Sequence, residues 1–314
     1  MKRVVKLDGF GNMAIEEVEI PPITSREMLV KTKVTLISRG SEILVRYMMP
    51  HAVDPSIVGY SVAGVVEKIG DEATRFSVGQ RVATTQPHAE YVVSDPEDTH
   101  RVSVLLPDEV SFESGTFMPL ATSAVGWTLA ANIQKGDSVV VLGQGLVGSL
   151  VMQAAKAYDP GTLIAVDALE LRCHIAQKFD ADHVINCAEN DPVKAVKNLT
   201  GGGADIVIDC VGGTPGIQSF EQAQQMVQAE GTIYLIAKYH GQPLSHDESK
   251  KMGNISPNVP RPQLAEQAVE MIRTGQFRVQ EMVTHRFHFT QAKEAFDLLF
   301  DHLGETMGVL LEWE

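Results

Sequence analysis

Cysteine is scarce in this chain of 314 residues: only Cys173, Cys187 and Cys210 occur, with no CxxC pair among them. That spacing argues against a disulfide framework and against a structural zinc lobe. Long apolar runs are missing as well. The longest uncharged stretch, residues 138–155, is interrupted by Gly143, Gly145 and Gly148 and contains Gln144 and Gln153. A membrane span needs roughly 20 predominantly apolar residues, so a strand, a turn and a helix are expected there instead. The first six residues carry basic side chains without the apolar core of a signal peptide, and a cytoplasmic protein is expected. Basic residues are also in deficit, 26 Lys and Arg against 40 Asp and Glu, giving a formal net charge of −14. Proteins that grip nucleic acid draw affinity from neutralising phosphates, which this balance does not favour. The expected partner is a small molecule, with neither nucleic acid nor membrane involved.

What is present reads as an ordinary folded chain, 44% hydrophobic and 21% charged. Its length exceeds what one core usually holds, so two domains are expected. Short runs rich in Val, Ile and Thr at 4–7, 14–20, 28–37, 62–69 and 81–84 alternate with Gly, Pro and acidic turns, the pattern of a β-barrel-like domain. Near residue 111 the pattern changes. Ser111 can cap a helix, and 113–132 has helical spacing with small residues. Apolar strands then follow at 138–142, 163–167, 183–186, 206–209 and 232–236. Helices are predicted between them at 148–157, 170–179, 191–199 and 215–227. This alternation predicts a parallel sheet covered on both faces. After Lys238 the chain is loop-like to Pro262. Amphipathic helices at 263–274 and 290–302, with strand-like 279–287 and 308–312, complete it.

The strongest local signal is Val139-Val140-Val141-Leu142-Gly143-Gln144-Gly145-Leu146-Val147-Gly148. A lone GxGxxG says little, but this one leaves an apolar strand and opens a small-residue helix. Gly143 suits the tight turn, Gly145 the approach of a pyrophosphate, and Gly148 close helix–strand packing. The helix N-terminus, with Leu146 and Val147, offers free N–H groups to phosphate. Asp167 ends the next strand, nineteen positions beyond Gly148, where a carboxylate accepts from ribose hydroxyls and repels a 2′-phosphate. NAD is therefore expected ahead of NADP, although Arg172 lies within reach of a 2′-phosphate. A plain βα turn with Asp167 as a helix cap is the bland alternative. Cys210 and Val211, with Ile236 and Ala237, end two further strands and are expected to border the nicotinamide. Cys210 reads as a small buried residue, since no base lies near it in sequence.

With these segments in place the whole chain resembles the medium-chain dehydrogenase/reductase family, which includes the zinc alcohol dehydrogenases. Gly59-Tyr60-Ser61-Val62-Ala63-Gly64, Gly79-Gln80-Arg81-Val82, Ala181-Asp182-His183-Val184-Ile185-Asn186 and Gly308-Val309-Leu310-Leu311 carry the likeness beyond the glycine motif. The resemblance implies a Rossmann doubly wound α/β domain at 118–260. It would be inserted in a GroES-like β-barrel-type domain made of 1–117 and 261–314. It also implies a homo-oligomer, a dimer, with 252–256 as a candidate edge strand.

The departures from that pattern are informative. The three zinc-ligand positions correspond to Arg39, Tyr60 and Ala121, a set poorly suited to hold the ion. The four-cysteine loop has no counterpart in the short, cysteine-free 85–97. A zinc-free site is expected, with four candidates for polarising a carbonyl and handling its proton. Ser41 stands where zinc members place a proton-relay hydroxyl, and Tyr60 brings a phenol to a ligand position. Arg39 would place positive charge where zinc stood, and His51 would shuttle a proton near neutral pH. Each has a structural alternative: a turn cap for Ser41, space filling for Tyr60, a pair with Glu42 for Arg39, an exposed loop for His51. The leading expectation is a zinc-independent oxidoreductase moving hydride between NAD(H) and a small alcohol or carbonyl. An NAD(P)H-dependent enone or quinone reductase is the alternative, and a non-catalytic nicotinamide-binding sensor a third. The substrate loops are expected at 46–55, 86–88 and 239–262.

Overall fold

A computed structural model describes residues 1–237 and 243–314. The chain divides into two compact units, Met1–Thr122 with Pro260–Glu314, and Ser123–Val259. The expected boundaries at 117/118 and 260/261 fall close to this division. The first differs because the helix Met118–Ala131 starts in unit 1 and ends in unit 2.

Unit 2 is a six-stranded parallel sheet. Its strands run in the order His183–Asn186, Thr162–Asp167, Ser138–Leu142, Ala204–Asp209, Val227–Leu235, Lys251–Met252. Numbered along the chain this is 3-2-1-4-5-6, the order of a Rossmann sheet. Its four inner strands are almost wholly buried over their apolar stretches, as a sheet covered on both faces requires. Val140, Leu142, Ile164, Val207 and Ile233 pack with Phe220, Ala223 and Met226 of the helix Pro215–Met226. The order reverses between Ser138–Leu142 and Ala204–Asp209, so the carboxyl ends of these two strands form the switch point where such folds take ligands.

Unit 1 is built on a seven-stranded sheet in which Met28–Ile37 is central. Gly308–Glu312, Val62–Ile69 and Tyr91–Ser94 all pair with it antiparallel. The hairpin Lys2–Lys6 with Met13–Glu17 stands beside this sheet as a separate pair. Predicted strands 28–37, 62–69, 81–84 and 308–312 agree with the structure residue for residue. Two short strands, Tyr91–Ser94 and Ser103–Leu105, were not predicted. The predicted helix 113–132 is two helices, Phe112–Gly115 and Met118–Ala131, the first capped by Ser111 as expected. The residues expected as a candidate edge strand, 252–256, overlap the outermost strand Lys251–Met252 by one position.

Candidate active site

The glycine turn has the shape its spacing demands. Gly143 sits at φ +82°, and a Cβ at Gly148 would lie 1.6 Å from the Gly143 carbonyl oxygen, so only glycine permits this approach of helix to strand. A Cβ at Gly145 would meet nothing nearer than the Arg172 guanidinium at 3.8 Å, which leaves its face open to a ligand. Gly145 also caps the helix Leu146–Lys156 without any side chain satisfying the first N–H groups. Those N–H groups and the helix dipole suit a pyrophosphate.

Asp167 closes the turn from the neighbouring strand. Its Oδ2 accepts the Gln144 N–H at 2.6 Å and its Oδ1 accepts the Leu169 N–H at 2.9 Å. Arg172 Nη1 lies 3.6 Å from Oδ2, and Arg172 Nε is buried without a hydrogen-bond partner among the described residues. On the next strand of the switch point, Asp209 Oδ1 accepts from Val211 N–H and the Ser219 hydroxyl, and its carbonyl from Ile236 and Ala237 N–H. The structure thus gathers Gly143, Gly145, Gly148, Asp167 and Arg172 at one end of the sheet, with Cys210, Val211, Ile236 and Ala237 beside them. Burial pushes the Cys210 thiol well above its ordinary value, so it stays protonated and weakly nucleophilic. These residues fit a nicotinamide dinucleotide. The predicted loop 239–262 begins with residues outside the described ones.

A polar site of a different kind lies in unit 1. The segment Arg39–Tyr47 is a wide helical turn in which Met48 N–H bonds back to Ile43 carbonyl, five residues away. Such π-turns are rare and recur at functional sites. Ile43 and Tyr47 face the core, and the Tyr47 hydroxyl donates to Asp297 at 2.8 Å, anchoring the turn. This holds Glu42 inward, 1% exposed. Its Oε1 accepts the Ser38 N–H at 2.8 Å, and its Oε2 lies 2.8 Å from Nε2 of the fully buried His88. The Tyr60 hydroxyl donates to Ser38 Oγ at 2.7 Å, and Ser41 is a second hydrogen-bonding neighbour of the phenol. Burial pushes the Tyr60 phenol up to about 12, so at neutral pH it is an uncharged donor. A cavity of about 190 Å³ opens here, walled by Ser41, Glu42, Arg46, Tyr60, Thr85 and Arg101 among others.

Of the four predicted residues, Ser41 and Tyr60 share this cavity. Arg39 and His51 do not line it. His51 is exposed and contributes its carbonyl, which accepts from Lys6 Nζ. Glu42, the partner offered to Arg39 in the structural alternative, bonds His88 and Ser38. Arg46 and His88 fall in the expected substrate loops 46–55 and 86–88, whereas Ser38 and Arg101 were not read as site residues from sequence. His88 and Glu42 are 46 positions apart in the chain, and the fold brings them together. Ala121, at an expected ligand position, is fully buried in the helix Met118–Ala131. Among the described residues no group of three or more His, Cys, Asp or Glu is placed to hold a metal ion. A larger open depression of about 890 Å³ in unit 2 lies elsewhere, walled by Gly201, Gly203 and Gln228 at the amino ends of strands. Ligands of open parallel sheets bind at the carboxyl ends, so it is not the dinucleotide site.

Comparison with known proteins agrees with this geometry. Residues 24–117 match the alcohol dehydrogenase GroES-like domain, and residues 147–275 match the zinc-binding dehydrogenase domain. The chain belongs to the medium-chain, zinc-type alcohol dehydrogenase-like family. It is 27% identical to sorbitol dehydrogenase 1 of Saccharomyces cerevisiae over 98% of this chain and 97% of that protein. It is 24% identical to D-arabitol-phosphate dehydrogenase of Enterococcus avium over 99% and 97%. The alcohol dehydrogenase of Thermus sp. ATN1 shares the fold at a TM-score of 0.85, with 21% identity and 99% of each chain covered. The protein is an oxidoreductase of the alcohol dehydrogenase type, from a family whose members bind NAD(P). No helix among the described residues is long and apolar enough to cross a membrane.

Proposed function

We propose that this dehydrogenase interconverts a small alcohol and its carbonyl compound with NAD(H), without a metal ion. The observation that carries the reading is the Tyr60 phenol, hydrogen-bonded to Ser38 and close to Ser41 on a cavity wall, at a position where zinc members place a metal ligand. Polyol dehydrogenases among the relatives support an alcohol substrate.

A nicotinamide dinucleotide supplies the hydride acceptor or donor when bound. The chain's own part is to hold the substrate oxygen and to move one proton. Tyr60, uncharged at neutral pH, turns its one O–H from Ser38 Oγ to that oxygen and, in the reducing direction, gives up the proton to it while the Ser38 hydroxyl donates to the phenol oxygen. Ser41 relays the replacement proton from solvent, being exposed at the cavity mouth. In the oxidising direction the hydroxyl proton leaves by the same hydroxyls. Glu42 and His88 position Ser38, and through it Tyr60.

Asp167 supports NAD, since a carboxylate there disfavours a 2′-phosphate. One observation favours a second reading, an NADPH-dependent enone or quinone reductase: Arg172 lies over Gly145 with an unsatisfied Nε. The same proposal makes the protein a homodimer joined through Lys251–Met252, the outermost strand of the sheet among the described residues. Sedimentation velocity checks this. The test of the activity is steady-state turnover of an alcohol and ketone panel by chelator-treated enzyme. Tyr60→Phe is expected to lower kcat about 10²- to 10⁴-fold, the usual range for a general acid. An unchanged kcat removes Tyr60 from the chemistry.

A further inference from the structure

The cavity in unit 1 carries a charge pattern that a neutral alcohol does not use. Its charged walls are Arg46, Arg101 and Glu42. Glu42 is already committed, one oxygen to Ser38 N–H and the other to His88. Arg46 Nε and Thr85 Oγ1 are both buried with no hydrogen-bond partner among the described residues, and both residues line this cavity. A buried N–H without an acceptor costs about 1–3 kcal/mol, so two unsatisfied groups on one cavity call for a ligand rich in acceptors. The acids nearest Arg101 are Asp54 and Asp98, which it influences electrostatically. Neither lines the cavity, and their carboxylates accept backbone N–H groups of Ser56, His100 and Arg101. Two guanidiniums on a cavity wall are notable in a chain of net charge −14. At about 190 Å³ the space suits a small headgroup better than a drug-sized molecule, which needs roughly 300 Å³ or more.

We propose that the substrate is an anionic alcohol or its carbonyl counterpart, whose phosphate or carboxylate is held by Arg46 and Arg101 with Thr85 donating a further hydrogen bond. Arginine suits this task because its planar fork meets such oxygens in pairs. Ser41 and Tyr60 then address the reacting oxygen at the other side of the same cavity. The proposal rests on the reading of this cavity as the substrate site of an alcohol dehydrogenase.

Two measurements separate the fate of the proposal from that of the underlying reading. The first compares kcat/KM of the wild-type enzyme for dihydroxyacetone phosphate and dihydroxyacetone, and for pyruvate and hydroxyacetone, with NADH. At least tenfold preference for the anionic member of one pair is expected, falling at least tenfold in Arg46→Gln and in Arg101→Gln. The second follows binding of inorganic phosphate by ³¹P line broadening in the wild type, in the Arg46→Gln/Arg101→Gln double variant, and in Arg172→Gln as a control for the dinucleotide cradle. Binding should be lost in the double variant and kept in the control. Phosphate bound in this way, with no turnover of any substrate, sustains the anion site and removes the alcohol dehydrogenase reading. Equal turnover of charged and neutral ketones, or phosphate binding that survives in the double variant, overturns the proposal and leaves that reading intact. If the double variant does not fold, the wild-type preference decides alone.

Discussion

Replacing Glu42 by alanine should destabilise unit 1 as much as truncating a large core side chain. The carboxylate is 1% exposed and satisfies two buried groups, the Ser38 N–H at 2.8 Å and His88 Nε2 at 2.8 Å. His88 is fully buried and its Nδ1 already lacks a partner among the described residues, so losing Glu42 leaves the imidazole with no hydrogen bond to them through either nitrogen. Each stranded polar group costs about 1–3 kcal/mol, so the Ser38 N–H and the His88 imidazole together account for about 2–6 kcal/mol. Glu42→Ala is therefore expected to lose about 2–6 kcal/mol. His88→Leu should lose a similar amount, because it leaves Oε2 unpaired. Glu42→Ala/His88→Leu removes both members together and should cost clearly less than the sum, with a coupling of about 2 kcal/mol or more. The assay is urea unfolding of the four proteins in a Trp127→Phe background, followed by the fluorescence of Trp313, which is 4% exposed in the unit 1 core. Costs that add within about 0.5 kcal/mol, the behaviour of independent sites, would refute the idea that this pair organises the site.

Other consequences are simpler to read. Gly148→Ala places a methyl 1.6 Å from the Gly143 carbonyl oxygen, so the helix Leu146–Lys156 must move off its strand. A loss of about 1–3 kcal/mol from overpacking and a large loss of NADH affinity by fluorescence titration are expected. Asp167→Asn keeps acceptor capacity for the Gln144 N–H but removes the charge. The NADPH-to-NADH affinity ratio should rise about tenfold or more, and Arg172→Gln should lower it. Burial raises the Tyr60 phenol to about 12. The unfolded chain ionises near 10, so Tyr60 contributes stability fully below that pH and loses it as pH climbs to about 12. Denaturation in this window should be weaker in Tyr60→Phe.

The dinucleotide half was legible because its signals are local. Gly143 to Gly148 and Asp167 belong to consecutive elements, and a strand–turn–helix unit fixes where each must point. Predicted strands 138–142 and 183–186 coincide with the structure for the same reason. Unit 1 was harder to read. The wide turn Arg39–Tyr47 has no periodicity of strand or ordinary helix, and it is this turn that brings Glu42 to His88. Strands Tyr91–Ser94 and Ser103–Leu105 are too short to show alternation above the surrounding loop. His51 looked suited to proton transfer by type alone, whereas its loop leaves the imidazole exposed. Arg46 and Arg101 reach one cavity from segments 55 positions apart, a proximity that only the folded chain reveals.

The most direct test of the metal-free, NAD-linked account joins one titration to one analysis on the same sample. Chelator-treated protein is titrated with NADH and NADPH by fluorescence, its metal content is measured, and its turnover with the alcohol and ketone panel is recorded. The account predicts tighter NADH than NADPH binding and undiminished turnover with no zinc present. Stoichiometric zinc needed for turnover, or a strong preference for NADPH, would contradict it.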